Sequence, residues 1–201
     1  MSEDQKAALS NPMPTLSQKQ RARCIKRSLD LAIALPGLLI AAPVILAAGT
    51  VIRATSNGPA ILAQTRVGRN GSPFRCYKLR TMYVDTPAVP THEVQQSAVT
   101  PIGRILRNTK LDELPQLWNV LKGEMSLVGP RPCLPNQDEL IQHRKRLGVL
   151  TALPGITGLA QVRGIDMSQP ALLAETDAEY LRAWSPRLDL QLMLRTVWRE
   201  S

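Results

Sequence analysis

The stretch LAIALPGLLIAAPVILAAGTVI, residues 31–52, carries no charged side chain. A helix needs about 20 apolar residues to cross the hydrocarbon core of a bilayer, and this run has that length. A cleavable signal sequence is disfavoured, because the run begins well inside the chain and ends at Arg53 rather than at a small-residue cleavage site. The run therefore predicts a helix that stays in the protein and meets a membrane.

Basic residues flank this run at both ends. They are Lys19, Arg21, Arg23, Lys26 and Arg27 before it, and Arg53, Arg66, Arg69, Arg75, Lys78 and Arg80 after it. Because basic flanks tend to remain in the cytoplasm, both ends are predicted on that side. Pro36 and Pro43 can each kink a helix, so we predict a re-entrant membrane helix-hairpin over 19–56. A single span and the buried core helix of a soluble protein remain alternatives.

The remaining chain divides into a tail and one domain. Residues 1–18 are polar, show little periodicity and predict a mobile tail, whereas residues 57–201 predict a single domain on the cytoplasmic face. Two β-compatible runs flank Asn70-Gly71, a dipeptide typical of the tight turn of a β-hairpin. Apolar residues at helical spacing over 102–106, with basic neighbours, predict a short amphipathic helix.

Two further helices are predicted in this domain. In DELPQLWNVLKG, residues 112–123, Asp112 or Glu113 is placed to cap a helix that Gly123 ends. Residues 189–198 again mix apolar and basic side chains. The apolar faces of both helices either pack on a core or lie in the membrane interface, with Trp184 and Trp198 as candidate anchors. The fold class is therefore α+β and mainly helical.

The net charge predicts anionic partners. The chain has 25 Lys and Arg against 16 Asp and Glu, a formal charge of +9, which attracts nucleic acid, anionic lipid and phosphorylated small molecules alike. Aromatic residues make up only 3%, which disfavours a stacking platform and argues for no nucleic acid partner. The three cysteines are odd in number and far apart, which is typical of reduced thiols in a cytosolic compartment, and neither they nor the two histidines have metal-like spacing.

Basic side chains are predicted to lie near Asp112 and Glu113. These are Arg107 upstream, Arg131 in the turn GPRP, and Lys78 and Arg80 in the hairpin segment KLRTM. A carboxylate can hold Mg²⁺, arginine binds phosphate, and an ionised Asp can attack phosphorus. The pattern predicts a site where a divalent metal meets phosphate. The alternative is that the two acids only cap a helix.

Four segments carry a family resemblance. In chain order they are KRSLDLAIALPGLLIAAPVILAAGTVI, GPAILAQTRVGRNGSPFRCYKLRTM, LRNTKLDELPQLWNVLKGEMSLVGPRP and PGITGLAQVRG. They resemble the successive motifs of the bacterial sugar transferase family, the monotopic polyprenyl-phosphate phosphoglycosyl transferases, and in particular its small bacillosamine-type members. The resemblance extends over residues 26–197.

The resemblance implies an enzyme on the cytoplasmic face of the bacterial inner membrane, with amphipathic interfacial helices around one active site. It would move a phosphosugar from a UDP-sugar to undecaprenyl phosphate and release UMP, the first step of O-antigen, capsule, exopolysaccharide or glycoprotein glycan assembly. Asp112 would be the nucleophile, and Glu113 would bind Mg²⁺. The implied substrate-binding residues are Lys78, Arg80, Arg107, Arg131, Thr157 in the PGITG turn, and Asp177 in DAEYL.

Two departures and two rival functions accompany this interpretation. The family often has Ser where Ala42 precedes Pro43, and Asn where Arg163 stands. For the PGITG turn, the alternative to substrate binding is a purely structural role. The rival functions are a non-catalytic, membrane-anchored basic protein and a phosphatase that uses the same aspartate. The sequence identifies neither the sugar nor the oligomeric state, so a homo-oligomer remains an open alternative.

Overall fold

The computed structural model describes residues 16–84 and 98–198, so most of the predicted tail, residues 1–15, lies outside the described residues. The α-helices are α1 (Leu16–Thr55), α2 (Pro101–Asn108), α3 (Gln116–Lys122), α4 (Asp138–Arg146), α5 (Leu159–Arg163), α6 (Pro170–Arg182) and α7 (Pro186–Trp198), and the strands are β1 (Ile61–Val67), β2 (Pro73–Leu79), β3 (Ser126–Val128) and β4 (Gly155–Thr157). The predicted α+β, mainly helical class is confirmed.

Helix α1 is continuous through the apolar run and includes both Pro36 and Pro43. The predicted break into a helix-hairpin is therefore not confirmed. The helix also begins at Leu16, earlier than the predicted end of the tail at residue 18. Residues 16–27 are rich in Gln, Lys, Arg and Ala, which are strong helix formers, and this composition accounts for the early start.

Both flanks of the apolar run contact the same folded domain. Before the run, Arg27 donates to the carbonyl oxygens of Val120 at 2.6 Å and Leu121 at 2.9 Å, at the end of α3. At the other end, Ile52, the last residue of the run, is buried in a cluster with Leu79 and Leu106. The two ends of the run therefore lie on one globular unit, and their placement on the same side of a membrane stays a prediction.

Most large apolar side chains of α1 between these two contacts are exposed. Leu39 is 70% exposed, Ile40 76% and Leu46 71%. This exposure argues against the alternative of a buried core helix, since such a helix hides its apolar side chains. One long apolar helix with an uncovered face instead indicates membrane association.

The predicted β-hairpin is present as the antiparallel pair β1–β2, in which Val67 lies opposite Pro73. Asn70 has φ 58° and Gly71 φ 79°, the left-handed geometry for which this dipeptide is favoured. The outer edge of β2 is covered by a side chain of α3. Asn119 Oδ1 accepts from Tyr77 N at 3.0 Å, and its Nδ2 donates to Arg75 O at 2.6 Å, as a neighbouring strand would.

The main core forms where α3, α6 and α7 meet the short parallel pair β3–β4. Its buried members include Val120, Met125, Val128, Tyr180 and Leu192. Trp184 packs against this core, and its indole N–H donates to Asp189 Oδ2 at 3.0 Å, whereas Trp198 is 79% exposed. Of the two candidate interfacial anchors, only Trp198 is placed outside the core.

Candidate active site

Asp112 and Glu113 lie in a separate 3₁₀ turn, Leu111–Glu113, between α2 and α3. The prediction that one of them caps α3 is wrong. The capping position of α3 belongs to Pro115, and no side chain caps the helix. The first N–H groups of the helix, those of Leu117 and Trp118, donate instead to the carbonyl oxygens of Leu114 and Pro115, both at 3.1 Å. The turn starts from Lys110, which adopts a left-handed conformation with φ 55°.

Asp112 is 9% exposed, and its surroundings disfavour its charge. Burial raises the pKa of the Asp112 carboxyl to about 6, and the neighbouring negative charge of Glu113 adds to the increase. The positive charges of Lys78, Arg131 and Arg107 act in the opposite direction. The site therefore holds a buried carboxylate that is ionised at neutral pH with cations around it.

Glu113 pairs with the arginine of the GPRP turn. Arg131 Nη2 lies 2.7 Å from Glu113 Oε1. The Arg131 side chain is 39% exposed and that of Glu113 17%, so a substrate can reach both. This pair brings the turn at residues 129–132 against the acidic turn, as the sequence predicts.

Lys78 and Arg107 supply two more cations from different elements. Lys78 lies on β2, and burial lowers the pKa of its ammonium group, an effect that the positive charge of Arg66 increases. Arg107, near the end of α2, donates through Nε to Thr81 Oγ1 at 2.9 Å. Three of the four predicted cations, Lys78, Arg107 and Arg131, therefore act together on Asp112.

The fourth predicted cation, Arg80, contacts the end of α1 instead. Its guanidinium is buried and donates to the carbonyl oxygens of Ser56, at 2.9 Å, and Asn57. These carbonyls follow the end of α1, where a helix leaves acceptors unsatisfied and favours positive charge. Arg80 thus fastens the exit of α1 to β2, and its role in phosphate handling stays a prediction.

Thr157 lies at the end of β4 and is buried. Its hydroxyl oxygen lies 2.5 Å from that of Thr196 on α7, and its carbonyl accepts from Gly129 N at 2.8 Å. Gly155 of the same PGITG segment approaches the backbone of Gly129 so closely that an added Cβ would lie 2.1 Å from its nitrogen. The segment thus has a structural role in the parallel pair, and substrate binding by Thr157 stays a prediction.

Asp177 is also outside the cluster of charges around Asp112. It is 2% exposed, and its Oδ2 accepts from both Nε and Nη2 of Arg144, at 3.0 and 2.7 Å. Burial raises the pKa of the Asp177 carboxyl, and Arg144 opposes the increase. Arg144 in turn donates to the backbone oxygen of Arg131 at 2.8 Å.

Sequence reasoning missed Arg66 as a member of the site. Burial lowers the pKa of its guanidinium, and the positive charge of Arg131 lowers it further. In the hairpin register Leu62 lies opposite Lys78 and Arg66 opposite Phe74, so Arg66 and Lys78 share one face of the sheet. The alternation of side chains along the two runs was the signal that could have identified it.

The paired carboxylates fit a divalent cation only in part. Within residues 16–84 and 98–198, no three or more His, Cys, Asp or Glu side chains come together as a metal site. Mg²⁺, however, is commonly held by one or two carboxylates with its other positions filled by water and substrate phosphate. The adjacent acids Asp112 and Glu113, whose charges repel each other, have the donor chemistry for such a site.

Comparison with known proteins identifies the family of the chain. The model of the bacterial sugar transferase family matches residues 21–200. The match includes most of α1, the hairpin, the acidic turn and the GPRP turn. The chain belongs to the bacterial sugar transferase family.

Individual relatives carry more specific names. The chain is 41% identical over 197 residues to a UDP-glucose:undecaprenyl-phosphate glucose-1-phosphate transferase of Caulobacter vibrioides, covering 92% of this chain and 72% of that protein. It is 38% identical over 188 residues to an Escherichia coli protein of the same name, covering 88% and 40%. A Streptococcus agalactiae galactosyl transferase, CpsE, is 39% identical over 189 residues, covering 86% and 41%. The chain thus spans less than half of the last two proteins.

Proposed function

We propose that the chain transfers a sugar 1-phosphate from a UDP-sugar to undecaprenyl phosphate and so starts the assembly of a surface glycan. The family match and the names of its relatives support this polyprenyl-phosphate sugar-1-phosphate transferase activity. The observation that carries it is a buried carboxylate, Asp112, which cations from three elements surround. The relatives' names include glucose and galactose, so the donor sugar of this chain is left to experiment.

The first step uses Asp112 as a nucleophile. One of its carboxylate oxygens attacks the phosphorus that bears the sugar, and a new oxygen–phosphorus bond forms. The bond from this phosphorus to the bridging oxygen breaks, and UMP leaves with the electron pair. Lys78, Arg107 and Arg131 neutralise negative charge on the phosphoryl group while it is transferred.

The second step regenerates the carboxylate. A phosphate oxygen of undecaprenyl phosphate attacks the same phosphorus and expels Asp112 as the leaving group. The products are undecaprenyl diphosphate sugar and free enzyme. The covalent route lets one site serve a soluble donor and a lipid acceptor in turn, since the two need not be bound in one displacement.

Mg²⁺ is the metal that we propose for this site. Glu113 would hold it beside Asp112, and the bound ion would supply charge neutralisation at the phosphate oxygens. Arg131, which pairs with Glu113, would orient this carboxylate towards the ion and the donor. The contribution of the chain itself is the placement of the two acids in one short turn.

The proposed membrane placement is based on α1. We assign the domain to the cytoplasmic face of the bacterial inner membrane, with the apolar run entering and leaving on that face. Its support is the contact of both flanks with one domain and the exposed apolar side chains between them. Trp118, 50% exposed on α3, and Trp198 on α7 are candidate contacts with the interface.

The direct test is UMP release by purified protein with Mg²⁺ and a panel of UDP-sugars, with and without undecaprenyl phosphate. We expect turnover with one donor that requires the lipid and disappears in Asp112→Asn. The exposed acid Asp138 gives a matched control, Asp138→Asn, which should retain wild-type turnover. Phosphate or sugar phosphate released without lipid would instead indicate a phosphatase, and turnover by Asp112→Asn would exclude the aspartate as nucleophile.

A further inference from the structure

The GPRP turn that carries Arg131 is held through its carbonyl oxygens. Its two prolines have no N–H to donate, so the segment depends on donors from elsewhere. Four successive carbonyls receive them: Pro130 O from Gly155 N at 2.9 Å, Arg131 O from Arg144 Nη1 at 2.8 Å, Pro132 O from Arg66 Nη1 at 3.1 Å, and Cys133 O from Val67 N at 3.0 Å.

Two of these donors are arginine side chains. Arg144, which donates to Arg131 O, is the more constrained of the two. Arg144 is 3% exposed, and two further nitrogens of its guanidinium bind one oxygen of Asp177. Arg144 lies on α4 and Asp177 on α6, so the planar guanidinium is fixed between two helices. A buried arginine held by three hydrogen bonds has little freedom to turn.

The opposite end of Arg131 faces the reacting groups. Its guanidinium contacts Glu113 Oε1, and its positive charge lowers the pKa of Asp112. A continuous series of contacts, each 3.0 Å or shorter, therefore runs from Asp177 through Arg144 and the backbone and side chain of Arg131 to Glu113.

We infer that Arg144 and Asp177 are positioning residues for Arg131. They fix the backbone from which its guanidinium reaches Glu113 and the transferred phosphate, and neither of them touches the substrate. Asp177 therefore acts through Arg144 rather than as a substrate-binding acid. The inference rests on the proposed function for its kinetic consequence but not for its structural one, so the two are tested separately.

The kinetic test is a double-mutant cycle on kcat/KM for UMP release. Asp177→Asn should lower kcat/KM about tenfold, and Arg131→Met should lower it further. If Asp177 acts through Arg131, the double variant should be no worse than Arg131→Met alone. Losses that multiply would overturn the inference, because they would indicate an independent role of Asp177 in binding or folding.

Controls separate positioning from general damage to the fold. Glu179 lies on α6, two residues from Asp177, and its exposed carboxylate pairs with Arg163 of α5. Glu179→Gln removes this carboxylate and should leave kcat/KM unchanged. If Asp177→Asn unfolds, Arg144→Lys replaces it in the cycle. This change keeps the charge beside Asp177, but a lysine cannot reproduce the planar set of donors.

A spectroscopic measurement tests the inference without relying on enzyme activity. In protein labelled with ¹⁵N-arginine, the Nε–H signal of Arg131 is the one that Arg131→Met removes. We expect it to shift in Asp177→Asn and to stay unchanged in Glu179→Gln. An unchanged Arg131 signal in Asp177→Asn would refute positioning. A wild-type protein without transfer activity would refute the proposed function alone.

Discussion

Burial of the charged Asp112 carboxylate lowers the stability of the folded protein. A carboxyl whose pKa rises from 3.8 to about 6 binds its proton more tightly in the folded protein than in the unfolded chain. The contribution of this group to stability is therefore full below pH 3.8 and is lost as the pH rises through about 6. The same burial that prepares the carboxylate for reaction destabilises the protein at neutral pH.

Asp112→Asn should consequently stabilise the fold while abolishing transfer. We expect its free energy of unfolding at pH 8 to exceed that of the wild type by on the order of 1–3 kcal/mol. The gain should shrink as the pH falls from about 6 and vanish below about pH 4. The measurement is unfolding as a function of pH in EDTA, which removes divalent cations.

The exposed acid gives the comparison for this prediction. Asp138→Asn should not be more stable than the wild type at pH 8, because it removes no buried charge. If Asp112→Asn were less stable than wild type at pH 8, the cost assigned to the buried charge would be wrong.

At the residue scale, some residues of the site could be predicted from the sequence and others could not. Asp112, Glu113 and Arg131 stand in one run of the sequence and in one cluster of the structure. Arg66 could have been found from strand alternation. Arg144 could not, because only the packing of α4 against α6 reveals that a basic residue on an ordinary helix is buried beside an acid.

At the element scale, the exit of α1 is held by Arg80. Arg80→Met removes a buried guanidinium from several carbonyl oxygens, among them those of Ser56 and Asn57. Because buried acceptors that lose their donors are costly, we expect the free energy of unfolding to fall by about 2 kcal/mol or more. Chemical unfolding of the two proteins in the same detergent measures it.

Arg53 supplies the matched comparison for Arg80. It lies in the last turn of α1 and is exposed, so Arg53→Met should change stability by no more than about 0.5 kcal/mol. Equal losses in the two variants would show that the carbonyl contacts of Arg80 do not stabilise the end of α1.

The hairpin and the helices differ in how well their patterns predicted them. Asn70-Gly71 specifies its turn locally, since both residues tolerate a positive φ, and the prediction was correct. The prediction that Asp112 or Glu113 caps α3 was wrong, because a short 3₁₀ turn and Pro115 lie between the acids and the helix. Strands β3 and β4 have three residues each, too few for an alternating pattern to show.

At the scale of the whole molecule, α1 and the domain are joined at two places along the helix. The apolar run would measure about 33 Å as a straight helix, enough to cross a bilayer core. Its two flanks nevertheless contact one domain. Flanking charge predicts that both flanks lie on one side of a membrane, which stays a prediction, but the particular contacts depend on residues distant in sequence and could not be predicted.

Labelling with a membrane-impermeant maleimide tests this arrangement. Cys24 is exposed on the amino side of the apolar run, and Arg53→Cys in a Cys24→Ser background reports the other side. We expect neither site to react in intact spheroplasts and both to react in inverted vesicles. Buried Cys76, whose thiol pKa burial raises to about 11, should stay unlabelled in both. Reaction of one flank alone from the periplasmic side would indicate a single span.

The central claim is that Asp112 carries the sugar phosphate. Purified protein mixed with its UDP-sugar and Mg²⁺, without undecaprenyl phosphate, should gain the mass of one sugar phosphate in an intact-mass spectrum, and fragmentation should place it on Asp112. Adding undecaprenyl phosphate should remove the adduct, and Asp112→Asn should never form it. UMP release at full rate with no adduct at any time, or an adduct on another residue, would contradict the account.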